Sequence, residues 1–366
     1  MKKSLLAVAV LGAFSSAALA QSSVTIYGVL DTAVRYTTNA DAAGDNKTVL
    51  GEGIFQGPRL GFKGNEDLGG GNAAVFDLEA GIVINNGQSD QQGQLFGRQA
   101  FVGLKNSSLG EIDFGRQYGL AFQTLGNYDP LGQGNALENE WELFIEGIRF
   151  DNTVEYTGNW GPVKAQVQYS FGGVAGATNE GSTTGFDLSY TQGPLSIGGV
   201  YQQSVDINSN DATLWGLGGS YVAGPATLTL SYFDSKRDAG FAKSAALSGL
   251  PLANTSLSSN AGNTQQRKDD VWTAGVLWQV APSLALTVGY MYDSVKNVTS
   301  TGNSGSIGTV YGVLDYNLSK RTDVYVELDN TKLSDGEITD VNSPIGAFGG
   351  GNSTRTGFAL GLRTKF

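Results

Sequence analysis

The sequence predicts an all-β fold, a 16-stranded antiparallel transmembrane β-barrel with short periplasmic turns and long extracellular loops. Three observations predict it. Apolar and polar residues alternate over sixteen segments, the period of a strand with one dry and one wet face. The connections between segments alternate short and long, as expected of a barrel whose two ends face different compartments. Large aromatics fall on the apolar parity near segment ends, where strands cross the membrane–water interfaces.

Composition fits. The 53 glycines in 366 residues are about twice the usual ~7 %. Charged residues are 16 % against hydrophobic 40 %, so apolar residues are spread thinly rather than massed in runs. Cysteine and histidine are absent. That excludes disulfides, thiolate nucleophiles, His-dependent hydrolysis and His-ligated metal chemistry. No enzymatic activity and no cofactor are expected. Acids outnumber bases 34 to 23, which argues against nucleic acid as a partner.

The chain opens with an address. Lys2 and Lys3 precede an apolar stretch from Leu5 to Ala18, and Ala18-Leu19-Ala20 supplies small residues before Gln21. Residues 1–20 read as a cleaved export signal, leaving 21–366 as the barrel. Loss of Lys2 and Lys3 takes the formal charge from −11 to −13. No later stretch is long and apolar enough for a membrane-spanning helix.

The first strand sets the parity. Val24, Ile26, Leu30, Val34 and Tyr36 share the dry face, while Thr25, Asp31 and Arg35 share the wet one. The same alternation places strands at 23–37, 54–64, 72–84, 95–105, 110–117, 149–158, 162–172 and 184–192. It continues at 194–204, 211–222, 225–234, 268–280, 283–294, 306–317, 321–332 and 354–366. Strand 1 should pair with strand 16, leaving no unpaired edge in lipid. Tyr36, Phe171, Tyr201, Tyr232 and Tyr292 end outward-running strands; Tyr156, Tyr190, Tyr316 and Phe366 end inward ones.

Sixteen strands enclose an aqueous channel too wide for side chains to fill. The wet parity then decides what passes. Arg35, Arg59, Lys63 and Arg98 should form a basic strip on one wall. The connection 118–148 carries Phe122, Leu125, Tyr128, Leu131, Trp141, Leu143, Phe144 and Ile145, which a solvated loop would not need. It should fold inward and pack on the wall, narrowing the channel. It also carries Asp129, Glu138, Glu140, Glu142 and Glu146. An acidic loop opposite a basic strip makes a transverse field that favours polar solutes. Because the acids outnumber the strip, weak cation preference is expected. Arg116 and Arg149 flank the loop and are expected to anchor it. A sugar-specific channel would line its lumen with aromatics, and here these are few (Tyr27, Phe233, Tyr311, Tyr325).

Several motifs resemble those of the trimeric general porins of Gram-negative bacteria, the beta-proteobacterial branch in particular. They are Tyr27-Gly28-Val29-Leu30-Asp31, Arg59 to Gly64 (RLGFKG), Arg98 to Leu104 (RQAFVGL), Gly115-Arg116-Gln117, Arg149 to Thr153 (RFDNT) and Leu318 to Asp329. The resemblance spans the chain after the leader. It implies a homotrimer in the outer membrane and an inward third loop. It implies passive diffusion of ions and small hydrophilic solutes, with a substrate-specific porin as the alternative. Its constriction arginines map onto Arg35, Arg59 and Arg98. Its terminal aromatic, matched by Phe366, implies recognition by the barrel-assembly machinery. Outer-membrane lipid and lipopolysaccharide are the implied surroundings.

Overall fold

The computed structural model describes residues 23–41, 43–134, 141–243, 251–298, 300, 302–340 and 352–366. The leader 1–20 lies outside the described residues. The fold is a closed antiparallel barrel of 16 strands. β1 is Ser23–Thr37. β2 comes in two pieces, Lys47–Glu52 and Arg59–Gly69, which pair with successive halves of β1. β3 (Asn72–Val83), β4 (Gln99–Asn106), β5 (Gly110–Tyr118), β6 (Arg149–Trp160), β7 (Val163–Ser170) and β8 (Thr183–Gln192) follow. Then come β9 (Leu195–Val205), β10 (Asp211–Ala223), β11 (Ala226–Arg237) and β12 (Arg267–Ala281). β13 (Leu284–Lys296), β14 (Gly305–Asn317), β15 (Thr322–Asp335) and β16 (Thr354–Lys365) complete the sheet. β16 pairs with β1.

The seam between the last strand and the first is sealed at Phe366. Its N–H donates to the Gly28 carbonyl and its carbonyl accepts from the Gly28 N–H, each at 3.1 Å. The ring lies flush against Gly28, where a Cβ would stand 2.4 Å from it. Only glycine leaves that room.

The expected parity holds. Val24, Ile26 and Val34 are exposed on the outer wall while Asp31 and Ala33 are buried within. Trp215, Trp272, Trp278, Tyr201 and Tyr316 are exposed on the outside. The largest departure from the expected strand limits is at 54–64. There the chain leaves the sheet, and Ile54 turns inward to pack with Ala33, Val313, Tyr325 and Ala359. The Asp31 carboxylate fixes the excursion by accepting the Phe55 and Gln56 N–H groups at 3.1 and 2.6 Å.

The third extracellular loop folds into the barrel as expected. It forms two short helices, α1 (Leu120–Gly126) and α2 (Glu142–Glu146). Leu120, Ala121, Leu125, Trp141 and Ile145 pack on Val200, Leu214, Phe233, Val271, Met291, Ile307, Tyr311 and Leu333 of the wall. Each buried Leu or Ile among them contributes about 1.5–3 kcal/mol by leaving water. Wall glycines make the sockets. A Cβ on Gly218 would lie 2.2 Å from the Tyr128 ring, and one on Gly275 2.5 Å from Pro130.

A second loop also turns inward, although its polar composition favours a solvated one. In the connection between β11 and β12, Phe241, Leu252 and Leu257 are buried with Phe150 and Ala212. Its Ser256 hydroxyl donates to the Leu143 carbonyl and accepts from the Ile148 N–H. Above these loops the outer mouth is tied by a buried ionic knot. Arg267 pairs with Asp269 at 3.0 Å, with Glu337 at 2.7 Å and with Asp340, and Arg237 meets Asp269 at 2.6 Å. All these side chains are essentially inaccessible.

Candidate functional site

Between the third loop and the β1–β6 and β16 wall lies a cavity of about 930 Å³. Seven arginines line it: Arg35, Arg59, Arg98, Arg116, Arg149, Arg355 and Arg363. The acids among the described lining residues are Glu52, Glu79 and Asp90. Among its described residues the loop contributes only uncharged groups to this lining beyond Tyr118, namely Phe122, Leu131 to Gly134, Leu143, Phe144 and Ile148.

The strands hold the guanidinium groups at fixed depths. Arg35 bonds Glu327 at 2.7 Å and Asp329 at 2.6 Å, acids of β15 that sit behind it at 1–2 % side-chain exposure. Arg363 meets Asp323 at 3.1 Å and Asp315 at 3.3 Å, and its guanidinium lies 4.0 Å over the Phe55 ring. Arg98 and Arg59 share one carboxylate, Glu79, at 2.7 and 3.4 Å. Arg149 stacks on the Tyr118 ring, and the Tyr118 hydroxyl accepts from both Arg98 and Arg149 at 2.9 and 3.2 Å. Around Tyr118 three guanidinium groups therefore face one carboxylate.

The residues expected from sequence separate into three groups. Arg35, Arg59 and Arg98 come together on one wall of the cavity. Arg116 and Arg149, expected as anchors, line the same cavity, and Arg116 also ties the start of β6 to the second inward loop by bonding Asp151 at 2.7 Å and the Asn254 carbonyl at 3.2 Å. Lys63 stands apart. Its ammonium is 3.3 Å from Asp77 with the side chain half exposed, and it is not among the cavity-lining residues.

The described loop acids face away from the cavity. Asp129 is turned onto its own loop, accepting the Leu131 and Gln133 N–H groups at 2.8 and 2.9 Å. Glu142 is buried against the wall and accepts from Thr273 at 3.0 Å. Glu146 is buried and accepts from the Gln133 amide. Burial, and then the Asp129 charge, push the Glu142 carboxyl up to about 8. Burial, and then Glu142, push Glu146 well above the ordinary carboxylate range. Glu138 and Glu140 lie outside the described residues. The charge count behind the expected cation preference therefore does not carry over: Asp129, Glu142 and Glu146 are packed into the loop and its seam with the wall.

A family model for Gram-negative porins matches residues 7–336. The chain belongs to the Gram-negative porin family. This porin is 33 % identical over the full length of both chains to outer membrane porin protein 32 of Delftia acidovorans. It is 38 % identical over 267 residues to an outer membrane porin of Bordetella pertussis, covering 63 % of this chain and 69 % of that one. Among solved structures, an anion-selective porin from Comamonas acidovorans aligns with a TM-score of 0.76 at 27 % identity, over 94 % of this chain and all of that one. The protein is an outer-membrane channel for passive diffusion of ions and small hydrophilic solutes, and the arginine-lined cavity lies beside its inward loop.

Sequence reasoning missed Arg355 and Arg363 as members of this site. Both have lumen parity on β16. The closure of β16 on β1, with Ala359 opposite Arg35, was the signal that would have joined them to it.

Proposed function

We propose that this porin is a general diffusion channel with a preference for anions, that its constriction is the arginine-lined cavity, and that it works as a homotrimer without enzymatic chemistry. The observation that carries the preference is seven arginines against three acids among the described lining residues of the cavity, with the loop's described acids turned away. Charges along a narrow channel with low-dielectric walls are screened less than on an open surface, so an excess of a few decides which ion enters. The anion selectivity named for the Comamonas acidovorans porin supports the reading. A sugar-specific channel is disfavoured because Phe233 and Tyr311 are buried beneath the third loop and Tyr325 is buried against Ile54 and Phe55. An exposed apolar band that copies can bury against one another supports the trimer, and a trimer surviving mild detergent is the expected result of light scattering.

The decisive test removes charge without stranding a carboxylate. Arg149 has a phenol and a ring as its partners, and Arg98 still neutralises Glu79 when Arg59 is replaced. In a salt gradient across a planar bilayer, wild type should give an anionic reversal potential. R59Q/R149Q should at least roughly halve the anion-to-cation permeability ratio. Cation preference in wild type, or an unchanged ratio in the double variant, would refute the proposal. Phe366 is also proposed as the assembly signal. Its deletion should sharply lower outer-membrane levels while export continues, and normal levels of folded protein would count against that role.

A further inference from the structure

The outer wall carries a feature that passive diffusion does not use. On β11, β12 and β13 three aromatics stand directly opposite one another, Tyr232 against Trp272 and Trp272 against Tyr292. Four residues further towards the long loops, three lysines repeat the same row, Lys236 against Lys268 and Lys268 against Lys296. Four residues of strand is about 13 Å. A fourth lysine continues the aromatic row: Tyr292 faces Gly308, and Gly308 faces Lys332 of β15. Among the described residues these four are the only lysines or arginines on the outward parity of the barrel strands.

Like charges set directly opposite across a sheet repel, so the row needs anions. The protein supplies two. Asp234 lies 3.6 Å from Lys236 and 2.9 Å from Lys268, and Asp270 lies 3.1 Å from Lys268. Lys296 and Lys332 are exposed and have no ion pair among the described residues. Two carboxylates for four ammonium groups leave a local excess of positive charge on a chain whose net charge is −11. The position is specific: outside the barrel, at the long-loop end, beside a row of aromatics that marks the lipid interface.

We propose that this face is a binding site for a phosphorylated lipid of the outer leaflet. Its phosphate groups sit among Lys236, Lys268, Lys296 and Lys332, and its acyl chains lie along Trp272 and Tyr292. Gly308 puts no side chain of its own between Tyr292 and Lys332, and the Tyr290 hydroxyl stands beside it, 3.2 Å from where a Cβ would lie. The proposal rests on the outer-membrane placement and is independent of ion preference, because these side chains do not face the lumen.

The test uses full-length protein in mild detergent, titrated with bisphosphorylated lipid A and followed by native mass spectrometry. The variant is K296Q/K332Q, which strands no carboxylate, and K296R/K332R is its charge-conserving partner. A lysine beside a phosphorylated lipid surface is worth roughly fivefold in affinity. The Gln variant should therefore bind lipid A at least about tenfold more weakly, and the Arg variant should recover most of the loss. Wild type should prefer bisphosphorylated to dephosphorylated lipid A by a similar factor. Single-channel conductance and reversal potential should be the same in all three proteins. Equal lipid A binding by wild type and the Gln variant, or no preference for the phosphorylated lipid, would overturn the proposal. A wild-type channel lacking anion preference would sink the reading of the constriction and leave this one standing.

Discussion

The two sides of the lumen solve opposite problems. The β9–β15 side is apolar at Val200, Leu214, Val271, Met291 and Ile307 and pitted at Gly216, Gly218 and Gly275, and it receives the third loop. The β1–β6 and β16 side carries the arginines and stays open to the cavity. The difference teaches where a loop goes once it enters a barrel. It seats where small residues leave sockets and apolar residues reward burial, and the solute is left with the wall that offers neither. If the cavity is the constriction, as proposed, selectivity is set as much by where the loop rests as by the charges it carries.

The largest expected effect comes from filling a socket. Gly218→Val puts carbon where the Tyr128 ring lies, since the Cβ alone would stand 2.2 Å from that ring. The loop should lift from the wall, with a changed conductance and new protease cleavage between Gly126 and Gly134. Wild-type conductance and protease resistance would show that the socket does not set the loop's position. Next comes Arg35→Gln on the opposite wall. It leaves Glu327 and Asp329 buried without their cation, a loss of about 3–5 kcal/mol, read as a lower heat-denaturation midpoint. The folded barrel should persist, since the strand ladder is untouched.

A smaller effect is expected from pH, acting on the loop side alone. A carboxyl whose pKa is raised by docking holds its proton more tightly docked than free. Docking is then strongest below the ordinary value of 4.5, weakens as pH rises, and has lost this contribution once pH passes about 8 at Glu142. Current noise should therefore increase as pH rises from 4.5 to about 8, and Glu142→Gln should flatten that dependence. Equal pH dependence in the variant would place the responsible group elsewhere. The smallest expected change is Tyr118→Phe. It removes the hydroxyl shared by Arg98 and Arg149 but no formal charge, so ion preference should hold while conductance shifts only slightly.

The fold was legible because alternation is a local signal repeated in every strand and checked by turn length. The clearest failure, at 54–64, has a physical cause. Ile54 and Phe55 continue the apolar pattern, yet they pack inside the barrel rather than facing lipid, and periodicity does not distinguish the two. The inward third loop was legible from its stranded apolar residues. Phe241, Leu252 and Leu257 carried the same signal in the connection between β11 and β12. The charges were less legible. Glu142 and Glu146 lie one helical turn apart and share a face, but nothing in their spacing says whether that face meets water or wall. Counting acids therefore could not tell which of them reach the cavity, whereas parity put Arg35, Arg59 and Arg98 on the lumen side together with Lys63, which the cavity lining leaves out.

The ionic knot at the mouth bears on how the channel responds to brine. Surface charges more than about 10 Å apart are largely screened at roughly 0.1 M salt, whereas buried pairs are screened far less. The arginines of the proposed constriction would face the permeating electrolyte, so their discrimination should fade as the bath becomes more concentrated. Arg267 and its carboxylates are sealed from that electrolyte and should keep the rim's dimensions constant. The channel would then lose its sense of charge in concentrated salt while keeping its sense of size.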